Sequence, residues 1–345
     1  MKVTTVGIDL AKSVLQIHGV DGRGKAVLRK QLKRADVLKF FANFPPCLIG
    51  MEACGSAHHW ARKLAEFGHT VKLMAPQFVK PYVKTNKNDA ADAEAICEAV
   101  GRPNMRFVAV KSAQSQAVLA IHRARAGLVK ARTAQANQIR GLLAEFGIVM
   151  PQGIVHIAKR VPEILEDGEN GLPGLMRGLI ARLTEQLKLL DTQVEELEAQ
   201  IRGWHRENEA SRNLAEIPGI GPLTASAIVA SVGDAKSFAS GRQFAAWLGL
   251  VPRQHSSGGK ARLLGISKRG DVYLRTLLIH GARTVVRHAE HKADQADGWL
   301  RRLMARRHKN VATVALASKN ARMVWALLAH GRKFQTDYTS VIEAV

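Results

Sequence analysis

Three β-rich runs, followed by helix and strand in alternation, constrain the fold more than any other feature of this chain. Residues 3–10 (V-T-T-V-G-I-D-L) and 14–20 (V-L-Q-I-H-G-V) are rich in β-branched and apolar side chains. Residues 26–33 form a third run after the turn-forming Asp21-Gly22-Arg23-Gly24, so the three read as a meander. A helical pattern over 35–43 leads to an apolar strand at 47–51, a helix at 57–67 and a strand at 70–74, then helices near 77–83 and 89–100. A doubly wound nucleotide-binding fold would alternate strictly and open with a Gly-rich βα turn, and this chain does neither.

Three strands followed by α-β-α-β-α is the order of a ribonuclease-H-like fold, expected over residues 1–110. A helical, coiled-coil middle is expected over 111–208. Good helix formers fill 112–145, and a looser Gly/Pro-bearing stretch follows over 147–173. Beyond it, Leu183, Leu187, Leu190, Val194, Leu197 and Ile201 form a heptad seam beside Glu195, Glu196 and Glu198. Such a seam pairs with the other long helix or with a second protomer. Residues 209–335 read as a third, mainly helical domain, and 336–345 as a short polar tail.

Composition narrows the partners. The 345 residues carry 51 Lys+Arg against 29 Asp+Glu, a formal charge of +22. An excess of that size repels itself unless a polyanion neutralises it, which points to nucleic acid. It is concentrated late in the chain, where residues 240–335 hold 19 Lys/Arg and 4 Asp/Glu. No run of about 18 apolar residues, signal peptide or lipidation motif is read, so no membrane partner is expected. Three cysteines, Cys47, Cys54 and Cys97, without a C-x-x-C pair, argue against a disulfide framework and a cysteine zinc site and fit a reducing cytoplasm.

Asp9 ends an apolar strand where packing gives a carboxylate no purpose, and Glu52 repeats the situation after L-I-G-M. Asp89 and Asp92, three apart on one helix, share a face. Four converging acids would repel one another strongly unless a divalent cation lay between them, and hard oxygen donors select Mg²⁺ or Mn²⁺. Singly, each acid also reads as a strand end, a helix cap or a first-turn acid.

Ile217-Pro218-Gly219-Ile220-Gly221 has the form of a helix-hairpin-helix turn, in which Gly219 and Gly221 would bring backbone N–H groups to a phosphate. An ordinary helix connection has the same composition. Downstream, Ser256-Ser257-Gly258-Gly259 reads as a mobile loop flanked by Arg253, His255, Lys260 and Arg262, and then by Lys268 and Arg269. On the residues alone this is either a phosphate-binding loop or a serine nucleophile whose cations stabilise a pentacovalent phosphate.

Together, G-I-D-L-A-K, I-G-M-E-A-C-G, K-N-D-A-A-D-A-E-A-I, I-P-G-I-G and L-G-L-V-P-R-Q-H-S-S-G-G-K with I-S-K-R-G-D resemble the DEDD transposases of the IS110 insertion-sequence family, closest to its IS1111-like subgroup. The resemblance implies a RuvC-like N-terminal domain whose acids map onto Asp9, Glu52, Asp89 and Asp92. It also implies a C-terminal transposase domain whose serine forms a covalent phosphoserine link to DNA. That serine falls in Ser256-Ser257, with Ser257, directly before the glycines, preferred. Further implications are a homo-oligomer (dimer or tetramer) in which the acids of one protomer and the serine of another form a composite site, a structured guide RNA pairing with donor and target DNA, and a bacterial, nucleoid-associated location. The expected function is thus a DNA transposase or recombinase with Mg²⁺ or Mn²⁺ as cofactor. The alternatives are a RuvC-like junction nuclease acting by hydrolysis and a non-enzymatic DNA-organising protein whose acids only cap helices.

Overall fold

The computed structural model describes residues 2–84, 88–291 and 298–335. The chain divides into two units, Met1–Gln116 with Val232–Ser237, and Ala117–Ser231 with Phe238–Val345. The tail expected over 336–345 lies outside the described residues.

The first unit is built on a six-stranded sheet in the order β3-β2-β1-β4-β5-β6. Its strands are β1 (Val3–Leu10), β2 (Val14–Asp21), β3 (Ala26–Lys33), β4 (Leu48–Glu52), β5 (Thr70–Met74) and β6 (Phe107–Val108). The first three form the antiparallel meander, β4 and β5 run parallel to β1, and β6 adds an antiparallel edge. The meander and parallel pair follow the expected ribonuclease-H-like order.

Strand alternation sends side chains to two faces. Val6, Ile8, Ile17, Ile49 and Met51 pack with Val37 and Phe41 of α1 (Val37–Ala42) and Trp60, Ala61 and Leu64 of α2 (Ala57–Glu66). Phe41 is fully buried, and taking such a side chain out of water contributes about 2–3 kcal/mol. On the opposite face, α3 (Pro76–Val79) and α4 (Asp89–Val100) cover Met74 with Val79, Ile96 and Val100. Two glycines in the central strands let α4 settle on the sheet. A Cβ at Gly7 would stand 2.2 Å from the Ala93 carbonyl oxygen, and one at Gly50 would stand 2.7 Å from Val100 Cβ.

The second unit is mainly helical. Helices α5 (Ala113–Ala144) and α7 (Gly174–Glu207) run antiparallel, since Arg125 meets Glu198, Arg132 meets Asp191, and Gln135 donates to the Leu183 carbonyl. Along the predicted seam Leu187, Val194 and Ile201 are buried, and Leu187 packs with Ala136, Ile139 and Leu143 of α5. The stretch expected to be loose over 147–173 contains α6 (Ile154–Glu166), whose Ile157, Val161 and Ile164 join that cluster. Its apolar period outweighs the helix-breaking tendency of Pro162 within it.

Helices α8 (Glu209–Ala215), α9 (Pro222–Val232), α10 (Gly241–Trp247), α11 (Val272–His291), α12 (Gly298–Met304) and α13 (Lys309–His330) complete the unit. A buried polar cluster ties α5 to α9 and α11. His122 is fully buried, with Nδ1 3.0 Å from Tyr273 Oη and Nε2 3.1 Å from Ser226 Oγ. Ser226 donates its own proton to the Pro222 carbonyl, so it accepts from His122 Nε2–H, and Nδ1 accepts from Tyr273.

Burial, and secondarily the Arg125 charge, push the His122 pKa down to about 4 from 6.5. The folded chain therefore binds this proton less readily than the unfolded chain. The stabilisation is fully present above pH 6.5 and is lost as pH falls towards 4, by about 3 kcal/mol across that window. His122→Gln is expected to lower the thermal midpoint at pH 7 and to flatten its fall between pH 6.5 and 4. Identical pH slopes for the two proteins would contradict the assignment.

Candidate functional site

Asp9 and Glu52 come together through strand pairing. Strands β1 and β4 are parallel, with Gly7 opposite Gly50 and Ile8 opposite Met51, so Asp9 and Glu52 end neighbouring strands in register. Both share the strand face of Gly7 and Gly50, the face that α4 covers. Cys54 senses the pair. Its thiol pKa is raised first by burial and then by the charges of Glu52 and Asp9.

Helix α4 runs antiparallel to β1. Cys97 Sγ contacts the Thr5 carbonyl at 3.7 Å, whereas the Gly7 position abuts Ala93, so the first turn with Asp89 and Asp92 points towards the Asp9 end of β1. The cap of α4 is Asn88, whose side chain accepts from the Ala91 N–H at 2.8 Å. Capping therefore does not account for Asp89, although both aspartates sit where the helix dipole favours an anion. Glu94 and Glu98 face away from this end. Glu98 pairs with Lys84 at 2.8 Å and with Arg102, and these two cations hold its carboxyl below the usual range.

A divalent ion asks for several oxygen donors, and carboxylates on two adjacent strand ends and one facing helix turn are the right chemistry. Among the described residues no three His, Cys, Asp or Glu side chains converge closely enough to hold an ion. The four acids thus fit such an ion in donor type and in the face they share, while no three of them converge.

The serine segment is a β-hairpin rather than the mobile loop expected from its composition. Strands β7 (Pro252–Gln254) and β8 (Leu263–Ile266) pair antiparallel, and the ladder continues through His255 N–H to the Arg262 carbonyl at 2.9 Å. At the tip Lys260 N–H donates to the Ser257 carbonyl at 3.1 Å, with Gly258 and Gly259 at φ of 55° and 76°. Two successive positive φ angles make a type I′ turn, which is why two glycines stand there. His255, Ser256, Ser257, Lys260, Arg262 and Leu264 line one concavity.

The two serines differ in their surroundings. Ser256 Oγ accepts from Gln254 Nε2 at 2.9 Å and lies 3.4 Å from the Arg262 N–H, so it braces the hairpin. Ser257 is exposed at the turn itself, held by its backbone. Arg253, Lys260, Arg262, Lys268 and Arg269 are all exposed on or just after the hairpin, and Lys268 adopts a left-handed φ of 54°.

The Ile217–Gly221 turn joins α8 to α9. Ile217 and Ile220 are buried, and Asn320 donates to the Pro218 carbonyl at 2.9 Å. Gly219 packs on α11: a Cβ there would lie 2.9 Å from the Gly281 carbonyl oxygen. Its close approach is thus to protein backbone, whereas Gly221 is exposed with open space around it.

Comparison with known proteins covers both units. Residues 6–148 match a family model described as "Transposase", and residues 211–297 match one described as "Transposase IS116/IS110/IS902 family". The chain is 55% identical over 330 residues to a probable family 20 transposase of Pseudomonas aeruginosa, spanning 95% of this chain and 98% of that one. It is 45% identical over 333 residues to the transposase for insertion sequence element IS1111A of Coxiella burnetii, spanning 96% and 92% of the two chains. It is 44% identical over 332 residues to the transposase for insertion sequence element IS1328 of Yersinia enterocolitica, spanning 96% and 98%.

Proposed function

We propose a covalent route by which this chain, which belongs to the IS110 family of insertion-sequence DNA transposases, cuts and rejoins DNA. Ser257 attacks a scissile phosphate of the element end. As the Oγ–P bond forms, the P–O bond to the leaving deoxyribose oxygen breaks, the serine proton passes to solvent, and the leaving oxygen takes up a proton. Attack by the hydroxyl of a different strand on the phosphoserine reverses these changes and frees the serine. The phosphodiester energy is kept in the link, so rejoining needs no nucleotide cofactor.

The observation that carries this reading is the type I′ turn, which exposes Ser257 beside Lys260 and Arg262 in a tightly bonded hairpin. A serine hydroxyl is a weak nucleophile, and cations around the phosphate are what its transition state requires. Asp9, Glu52, Asp89 and Asp92 are the residues that would hold Mg²⁺ or Mn²⁺. Bound there, the ion supplies Lewis-acid polarisation of phosphate oxygens. Arg253, Arg262, Lys268 and Arg269 neutralise the DNA backbone, and the exposed Gly221 turn lets that backbone approach closely.

The net charge of +22 suits either nucleic acid, and the family resemblance favours an element-encoded RNA that pairs with donor and target DNA, acting with a homo-oligomer of this chain. The test is to incubate the protein with Mg²⁺ and element-end DNA, with and without the element RNA, and to follow the DNA ends. Recombined strands are expected, in greater yield with RNA. Free 5′-phosphate ends without rejoining would instead favour a hydrolytic nuclease.

A further inference from the structure

Arg275 is buried in the first turns of α11, only 7% exposed. A guanidinium carries five donors and cannot shed its charge, so an apolar residue would be cheaper at such a position unless the cation has a task. Its Nη1 donates to two backbone carbonyls, Leu248 at 3.0 Å and Arg269 at 3.1 Å. These are the residues at which the chain enters and leaves the segment carrying the serine hairpin. One side chain therefore ties both ends of that segment to α11.

The neck it closes is tight. Lys268 N–H donates to the Gly249 carbonyl at 3.1 Å, and Ser267 N–H donates to the Val251 carbonyl at 2.8 Å. A Cβ at Gly249 would stand 2.0 Å from the Arg269 carbonyl oxygen, and one at Gly270 would stand 1.9 Å from that of Trp247. Both glycines have positive φ. The carbonyls held by Arg275 thus sit where two backbone segments are pressed together. Lys268, a residue with a Cβ, is kept in the left-handed region between them, a conformation that persists only where its surroundings impose it.

We propose that Arg275 is a positioning residue for strand transfer, fixing the neck of the serine hairpin so that Ser257 is presented in one orientation. The role rests on the serine reading above and touches no DNA. A nucleophile displaced by about 1 Å can lose about a hundredfold in rate while binding is unaffected.

The test compares wild-type protein with Arg275→Gln and Arg275→Lys, measuring thermal midpoint, DNA affinity and the single-turnover rate of protein–DNA adduct formation at saturating DNA. Arg275→Gln is expected to bind DNA within about twofold of wild type and to form the adduct about ten to a hundred times more slowly. Arg275→Lys, which keeps the charge but loses the planar fork, is expected to fall between them. A purely structural role would lower the midpoint and the DNA affinity together and leave the rate of the folded fraction unchanged, and that result overturns the proposal. A folded Arg275→Gln forming the adduct at the wild-type rate also overturns it, as does Arg275→Lys at the wild-type rate should the glutamine variant not fold. Wild-type protein that recombines DNA with no adduct would overturn the serine reading, and the positioning role with it.

Discussion

Ser257→Ala is expected to abolish DNA strand transfer, by on the order of 10⁴-fold or more, while DNA binding stays within about twofold of wild type. The asymmetry follows from where the residue stands. Ser257 is exposed, and its place in the turn is set by its carbonyl, which accepts from Lys260, and by the φ angles of Gly258 and Gly259. Removing a hydroxyl from such a position leaves the turn intact. Ser256→Ala is the informative companion. It deletes the contact with Gln254 Nε2, so partial slowing through a looser hairpin is expected rather than complete loss. Strand transfer that survives Ser257→Ala and vanishes in Ser256→Ala would transfer the nucleophilic role to Ser256.

Asp9→Asn and Asp92→Asn are each expected to lower metal-dependent strand cleavage roughly a hundredfold or more, with the fold retained by circular dichroism. Asparagine matches aspartate in shape but carries no charge and offers a poorer oxygen donor to a hard cation. Asp9 lies in register with Glu52 on paired strands, so its neutralisation also removes the repulsion that a cation would otherwise relieve. Asp9→Asn should therefore be no less stable than wild type in the absence of divalent ions. Full Mg²⁺-dependent activity in Asp9→Asn would remove that residue from the proposed ligand set. Unchanged activity in both variants would leave the acids as ordinary strand-end and first-turn residues.

Much of the first unit was legible because its strands alternate cleanly and its turns are marked by glycine. Strand β5 and helix α4 begin and end where the pattern places them, at Thr70–Met74 and Asp89–Val100. The pairing of β1 with β4, on which the Asp9–Glu52 neighbourhood depends, followed from strand order alone. Strand β6 was not legible, since two residues carry no period. Helix α6 was hidden by Gly147, Pro151, Gly153 and Pro162, although Ile154, Ile157, Val161 and Ile164 keep helical spacing.

The hairpin was missed for a different reason. Strand β7 is polar and exposed, and β8 is a short apolar run that stays mostly exposed, so no alternation of burial marks either, and Ser-Ser-Gly-Gly reads as flexible. The available signal was the Gly-Gly pair itself, a favoured type I′ turn. Arg275 and His122 could not be singled out from sequence. Each reads as an ordinary polar residue of a long helix, and their burial arises from contacts 27 and 151 residues away along the chain.

The covalent route is tested most directly by trapping its intermediate. Protein, Mg²⁺, element-end DNA and element RNA are incubated, denatured and digested with nuclease and trypsin, and peptide 254–260, whose serines are Ser256 and Ser257, is examined by mass spectrometry. The account predicts a nucleotide attached through phosphate to Ser257. Efficient cutting and rejoining with that peptide unmodified at every time point would contradict it.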